Sequence, residues 1–304
     1  MVMLPGELRS MLRGPLAFPI TPFDDQLAVN VDALRVNVRA LLKDRPAAIV
    51  AAGGTGELYS LAPAEHLTVV RAVVEESAGS VPVIAGVGFN TAIGRQLAAD
   101  AARAGADGIL AFPPYYPQAD EDGLLAYYRA IGAATPLGLL IYSRDWFHPG
   151  AALVERLAAI ETLVAWKDGQ GDIRRLQILM DRVGDRLHWI GGAGDDMVPA
   201  YYAAGLRAYT SSVSNVSPRL ALALHDYASA GDTRLPGVMA ELIVPLYALR
   251  GRRRGYEVSV MKAMMDMMGL AGGPVRPPLT DVDAETAGAL RNLVAKYQAW
   301  HGNP

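Results

Sequence analysis

Leu163-Val164-Ala165-Trp166-Lys167-Asp168-Gly169 is a short apolar run that ends abruptly in a cation and an acid, with an amphipathic segment over 172–183 behind it. A buried strand followed by a capped helix is the unit from which parallel sheets are wound. The same unit recurs along the chain. Apolar runs stand at 16–20, 47–51, 83–87, 108–111, 137–141, 163–166, 187–190 and 208–211. Helical patterns over 31–42, 64–76, 91–104 and 172–183 lie between them, with Ser, Thr or Asp near their starts to cap them. Eight runs, on average about 25 to 30 residues apart, predict an α/β protein of the (β/α)8 TIM-barrel class over residues 1–217. Beyond 211 the segments 220–229, 238–250, 257–268 and 284–300 read as helices, so 218–304 is expected to be a C-terminal helical extension packed on the barrel in a single structural domain. A doubly wound open sheet is the competing architecture, but no Gly-x-Gly-x-x-Gly links a first strand to its helix.

Composition narrows the function. The 304 residues carry a net charge of -3, and the one basic run, Arg252-Arg253-Arg254, is short. Nucleic-acid binding needs a clustered positive footprint, so none is expected. With no cysteine, disulfides, thiolate catalysis and Cys-ligated metals are closed off. The five histidines show no ligand spacing, and neither a metal nor a cofactor is expected. Residues 1–15 lack an apolar stretch of the signal-peptide kind, and no segment reads as a membrane span, so a cytoplasmic protein is the expectation.

In a barrel the reactive groups stand at the C-terminal ends of the strands. Of the 28 basic residues only Lys43, Lys167, Lys262 and Lys296 are lysines, and three of these lie on helical segments where the amine is usually solvated. Lys167 alone ends a strand. Burial there disfavours the ammonium and leaves an amine able to attack a carbonyl, which makes Lys167 a candidate imine former. The alternative is a structural pairing with Asp168 or Glu57. Tyr142 ends the fifth run, where its phenol fits either a proton shuttle or a satisfied core hydroxyl. The turn Gly53-Gly54-Thr55-Gly56-Glu57 follows the second run. Gly54 and Thr55 offer backbone N–H groups and a hydroxyl to a carboxylate, or the glycines serve geometry alone. Thr210-Ser211-Ser212-Val213-Ser214-Asn215 closes the eighth run, with Ser211 and Ser212 candidates for holding a carboxylate or hydroxyl and Ser217-Pro218 able to cap the next helix. Arg144 offers a fork to a second carboxylate, or a surface charge. Asp195-Asp196 reads as a loop and N-cap, and Met264, Met265, Met267 and Met268 as core or interface packing.

Gly53-Gly54-Thr55-Gly56-Glu57, Tyr142 and Lys167, in this order and spacing, resemble the dihydrodipicolinate synthase and N-acetylneuraminate lyase family of Schiff-base barrels. The likeness runs from Phe18-Pro19-Ile20-Thr21-Pro22-Phe23 to Gly273-Pro274-Val275-Arg276-Pro277-Pro278-Leu279. It implies a barrel with a helical extension, assembled as a homotetramer, acting on a small keto acid. Four segments are similar to the sugar-diacid dehydratases of that family: Gly54-Thr55-Gly56-Glu57, Tyr142-Ser143-Arg144-Asp145, Trp166-Lys167-Asp168-Gly169 with Gly171-Asp172, and Arg254-Gly255-Tyr256-Glu257-Val258-Ser259. The resemblance implies loss of water and carbon dioxide from 5-dehydro-4-deoxy-D-glucarate, giving 2,5-dioxopentanoate. Lys167, Tyr142 and Thr55 would be catalytic, and Gly54, Thr55, Arg144, Ser211 and Ser212 would bind the keto sugar acid. Ser143 and Trp146, which stand where those dehydratases have Asn, and Ser214, at a position that is often aromatic in them, depart from that pattern and would line the distal pocket. A pyruvate-dependent aldolase or synthase, and a barrel that binds without catalysing, are the alternatives.

Overall fold

The computed structural model describes residues 3–302; Met1, Val2, Asn303 and Pro304, assigned above to the barrel and the extension, lie outside the described residues. Eight parallel strands close in sequence order: β1 Gly14–Ala17, β2 Ala48–Ala51, β3 Val83–Phe89, β4 Gly108–Pro114, β5 Gly138–Ser143, β6 Leu163–Asp168, β7 His188–Gly191 and β8 Ala208–Ser211. β1 pairs with β8, which removes both free edges.

Side chains alternate along each strand as the pleat demands. Leu16, Ala48, Val50, Ile84, Leu110, Leu140 and Ile190 fill the barrel interior. Ile49, Val83, Ile109, Leu139, Ile141 and Trp166 face outward against the helices. Four of the eight strands, β1, β2, β7 and β8, are four residues long, and the other four run to six or seven. β5 and β6 each run two residues beyond the apolar reading, taking Tyr142, Ser143, Lys167 and Asp168 into the sheet.

The helices of the extension bury a second core of their own, built from Leu220, Leu224, Leu246, Val260, Met261, Met264, Met265, Leu290 and Tyr297 together with Tyr201 and Tyr209 of the barrel. Met264 and Met265 are fully internal and Met267 and Met268 pack against the same core. The helical run Leu235–Val238 passes through a π-helical turn at Met239–Ile243 into Val244–Arg250. Pro245 has no N–H to donate, and the widened turn before it is the kind of local accommodation that a missing donor requires.

One element was not foreseen. Residues 5–11, read only as a segment without signal character, form the helix Pro5–Met11. Leu8 and Leu12 are fully buried in the interior cluster of the barrel. A Cβ placed on Gly108 or Gly138 would stand 2.6 or 2.9 Å from Leu8 Cδ2, so these two glycines make room for the helix that closes the N-terminal mouth. The opposite mouth is left for a site.

Candidate active site

β5 and β6 are in register with Tyr142 opposite Lys167, so the two side chains enter the mouth side by side. Lys167 is 3% exposed. Its Nζ lies 3.0 Å from the centroid of the Tyr142 ring and donates to the Gly192 carbonyl at 3.1 Å. The Tyr142 hydroxyl donates to the same carbonyl at 3.4 Å, so amine and phenol converge on one acceptor. A Cβ on Gly192 would stand 2.5 Å from Lys167 Cγ, which is why a glycine follows β7 beside the lysine.

Among the described residues the lysine makes no salt bridge. Asp168 spends its carboxylate on the Tyr201 hydroxyl at 2.9 Å and the Gly171 amide at 3.1 Å. Glu57 pairs instead with Lys262, 2.6 Å away, and both are buried. Two expectations therefore change. Lys262 is no solvated helix-surface group, and the structural pairing considered for Lys167 belongs to Lys262. Burial, and then the nearby Arg144 guanidinium, hold the Lys167 ammonium well below the ordinary lysine range. Burial pushes the Tyr142 phenol up, keeping it a neutral proton donor near pH 7.

Lys167 and Tyr142 open into a cavity of about 380 Å³ that Gly54, Thr55, Arg144, Ser211 and Ser212 also line. All seven candidate residues thus meet in one pocket, although their arrangement departs from the expected one. A Cβ on Gly53 would collide with the Phe18 ring at 2.6 Å, so this glycine serves close packing. Gly54 is different, because a Cβ there would point into the cavity, 3.5 Å from Arg144 Nη1. Arg144 therefore sits against the Gly54–Thr55 loop rather than across the pocket from it. Its guanidinium is engaged by Asp145, with Nε at 2.8 Å and Nη2 at 3.3 Å.

The β8 cluster also differs from its reading. Asp195 is fully buried and caps no helix. It accepts hydrogen bonds from the Ser211 hydroxyl, from the Ser212 hydroxyl at 3.2 Å and amide at 3.1 Å, and from the Tyr247 hydroxyl at 2.9 Å. Ser211 and Ser212 form part of the wall with their protons committed to Asp195. Asn215 is spent on the backbone of Ile20, Phe18 and Ser212, while Ser217 does cap the next helix through Leu220. Ser143 and Ser214 are buried outside the cavity lining, and Trp146 lines a neighbouring aromatic cleft with Tyr115 and Tyr116.

The lining side chains of Tyr59, Tyr247 and Arg250 escaped the sequence reading, and Glu257, quoted there only within a family-like segment, was not placed in the site. The last three come from the extension, which folds over the mouth. Tyr247 and Arg250 are three residues apart on one helix and so share a face, and that spacing was the only signal present. No group of His, Asp or Glu among the described residues has the makings of a metal site, and no helix among them is long and apolar enough to cross a membrane.

Comparisons with known proteins agree with this geometry. The model of the dihydrodipicolinate synthetase family matches residues 11–297. A protein of Saccharopolyspora erythraea named "Probable 5-dehydro-4-deoxyglucarate dehydratase" is 42% identical over 300 residues, covering 97% of each chain. One of the same name from Bradyrhizobium diazoefficiens is 39% identical over 302 residues, covering 98% of this chain and 96% of the relative. The crystal structure of dihydrodipicolinate synthase from Oceanobacillus iheyensis superposes with a TM-score of 0.92 at 28% identity, over 97% of this chain and 99% of that one. With a closed barrel, a buried lysine at the end of β6 and a family match over nearly its whole length, the chain belongs to the dihydrodipicolinate synthetase family.

Proposed function

We propose that the protein is a Schiff-base lyase that converts 5-dehydro-4-deoxy-D-glucarate to 2,5-dioxopentanoate, water and carbon dioxide. The observation that carries the chemistry is the buried, unpaired Lys167 amine against Tyr142. The relatives at 39 and 42% identity carry the choice of substrate.

Lys167 Nζ adds to the ketone and, with loss of water, forms an iminium. Tyr142, reaching the same carbonyl of Gly192 as the amine, passes the protons that carbinolamine formation and breakdown exchange. The iminium acidifies the adjacent methylene, and the enamine formed when its proton leaves expels the β-hydroxyl as water. The carbon–carbon double bond so made is conjugated with the imine. Cleavage of the distal carboxylate then sends its electron pair into that system, releasing carbon dioxide and leaving an enol that becomes the aldehyde. Hydrolysis returns Lys167 and the 2-keto acid. Gly54 and Thr55 hold the carboxylate beside the ketone, and Thr55 assists proton transfer from the loop. Arg144, next to Gly54, adds positive charge on that side, while Ser211 and Ser212 border the hydroxylated part of the chain.

The ligand is a small keto sugar acid, and the enzyme works as a cytoplasmic homotetramer without cofactor or metal. An assay for released carbon dioxide and for 2,5-dioxopentanoate tests the reading. Turnover of the sugar diacid with no condensation of pyruvate and aldehydes supports it. Pyruvate made or consumed in an aldol reaction, with the diacid untouched, replaces it with the aldolase alternative.

A further inference from the structure

Two arginines line the cavity, and they are not equivalent. Arg144 already shares its fork with the Asp145 carboxylate. Arg250 has only neutral partners: its Nη1 donates to Ser212 Oγ at 2.8 Å, its Nε to the Glu257 carbonyl at 3.2 Å, and its guanidinium lies 4.4 Å from the centre of the Tyr247 ring. Nearby Arg252 and Arg253 pair with Glu285 and Asp283, whereas Arg250 makes no ion pair among the described residues. Among the described residues no hydrogen bond engages its Nη2. Glu257 is the one carboxylate side chain that also borders the cavity.

The surroundings fix this guanidinium in advance. Asp195 receives the hydroxyls of both Ser212 and Tyr247, the two groups against which Arg250 rests. A buried carboxylate thus orients the wall while its own charge is satisfied by hydroxyl and amide donors. Lys167 and Arg250 also share one wall of the cavity. Gly192 touches Lys167, and Gly194 touches Tyr247, so a Cβ there would stand 2.6 Å from the phenol oxygen. Gly192 and Gly194 are two residues apart, about 7 Å at most, so Lys167 and the Tyr247 ring that carries Arg250 flank one short stretch of the wall of the same cavity.

We propose that Arg250 binds the second carboxylate of the substrate and sets the enzyme's preference for keto diacids over keto monoacids. This rests on the imine chemistry assigned to Lys167 and names what recognises the far end. Arg144, whose fork is taken by Asp145 and which lies on the Gly54 side, is not that anchor. Because the far carboxylate is the one lost as carbon dioxide, its anchor also holds the bond to be broken in a fixed orientation to the conjugated imine.

The test separates recognition from turnover. Lys167 imines are trapped with borohydride over a range of concentrations of 2-oxoadipate, a six-carbon keto diacid, and of 2-oxohexanoate, the matching monoacid. The wild-type protein is expected to be half-trapped at a concentration of diacid roughly 10- to 100-fold below that of the monoacid, the scale of a charge-assisted hydrogen-bonded contact. Arg250→Met is expected to erase the difference, and Arg250→Lys to restore part of it by returning the charge without the fork. Pyruvate trapping by the same variants reports that the barrel and its lysine are intact. No diacid preference in the wild type, or one that survives in Arg250→Met, overturns the inference. If the preference depends on Arg250 but 5-dehydro-4-deoxy-D-glucarate is not turned over, the anchor stands and the assigned reaction falls.

Discussion

Replacing Lys262 by Met should strand a charge in the most tightly buried ion pair among the described residues. Lys262 and Glu57 are 1% and 0% exposed and 2.6 Å apart. Burial raises the Glu57 carboxyl and lowers the Lys262 ammonium, and the attraction between them opposes both shifts. Neither charge is tolerable alone. Removing one partner of such a pair costs about 3–5 kcal/mol, whereas replacing both with apolar groups of similar size is often neutral or stabilising. An unfolding entropy of about 2.1 cal/mol/K per residue over 304 residues converts that cost to a fall in Tm of about 5–8 °C. Calorimetry at one fixed protomer concentration measures it, since assembly makes Tm depend on concentration. Glu57→Met/Lys262→Met should recover most of the loss. Because Glu57 closes the loop that carries Gly54 and Thr55, and holds a left-handed backbone (φ 56°), the single variant should also weaken keto-acid binding. A Lys262→Met protein that melts within about 1 °C of wild type, or a double variant no better than the single, refutes the reasoning.

Tyr142→Phe keeps the ring under the amine and removes the proton carrier, so kcat should fall about 100- to 10,000-fold while a pyruvate imine can still be trapped on longer incubation; an unchanged kcat in steady-state assays would remove Tyr142 from the mechanism. Imine formation needs the neutral amine, and burial together with Arg144 lowers the Lys167 pKa, so the rate should rise with pH through a midpoint well below 10.5. Arg144→Gln takes away a neighbouring positive charge, which lets that pKa rise, and a trapping-rate profile should move to higher pH; a profile that stays or moves lower contradicts the assignment. Gly53→Ala places a methyl 2.6 Å from the Phe18 ring, whose centre lies 5.4 Å from Lys167 Nζ. Overpacking of this kind should cost about 1–3 kcal/mol, read as a lower Tm.

Much of this was legible in the sequence because the pattern is local. A parallel strand buried on both faces is written as a continuous apolar run, and a helix beside it as a three-to-four-residue stripe, so eight repeats identify the barrel without any contact being known. Lys167 was conspicuous for the same reason, as a cation ending such a run. The parts that were missed depend on tertiary placement. Lys262 lies on an ordinary-looking helix, and only the fold reveals that it points at the Glu57 turn. Asp195 reads as a loop acid until Ser211, Ser212 and Tyr247 are brought to it from two other segments. Arg250 is separated from Lys167 by 83 residues and reaches the mouth because the extension folds back over it. The helix Pro5–Met11 is too short to announce itself by period, and its purpose is visible only in Leu8 seated between Gly108 and Gly138.

The central claim is a covalent one, and mass spectrometry tests it directly. The protein is incubated with pyruvate, reduced with borohydride and digested. The reduced adduct should be found on the peptide carrying Lys167, and it should be absent both without keto acid and in Lys167→Met. An adduct on Lys262 or Lys43, or none at all while the keto acid is shown to bind, would contradict the account.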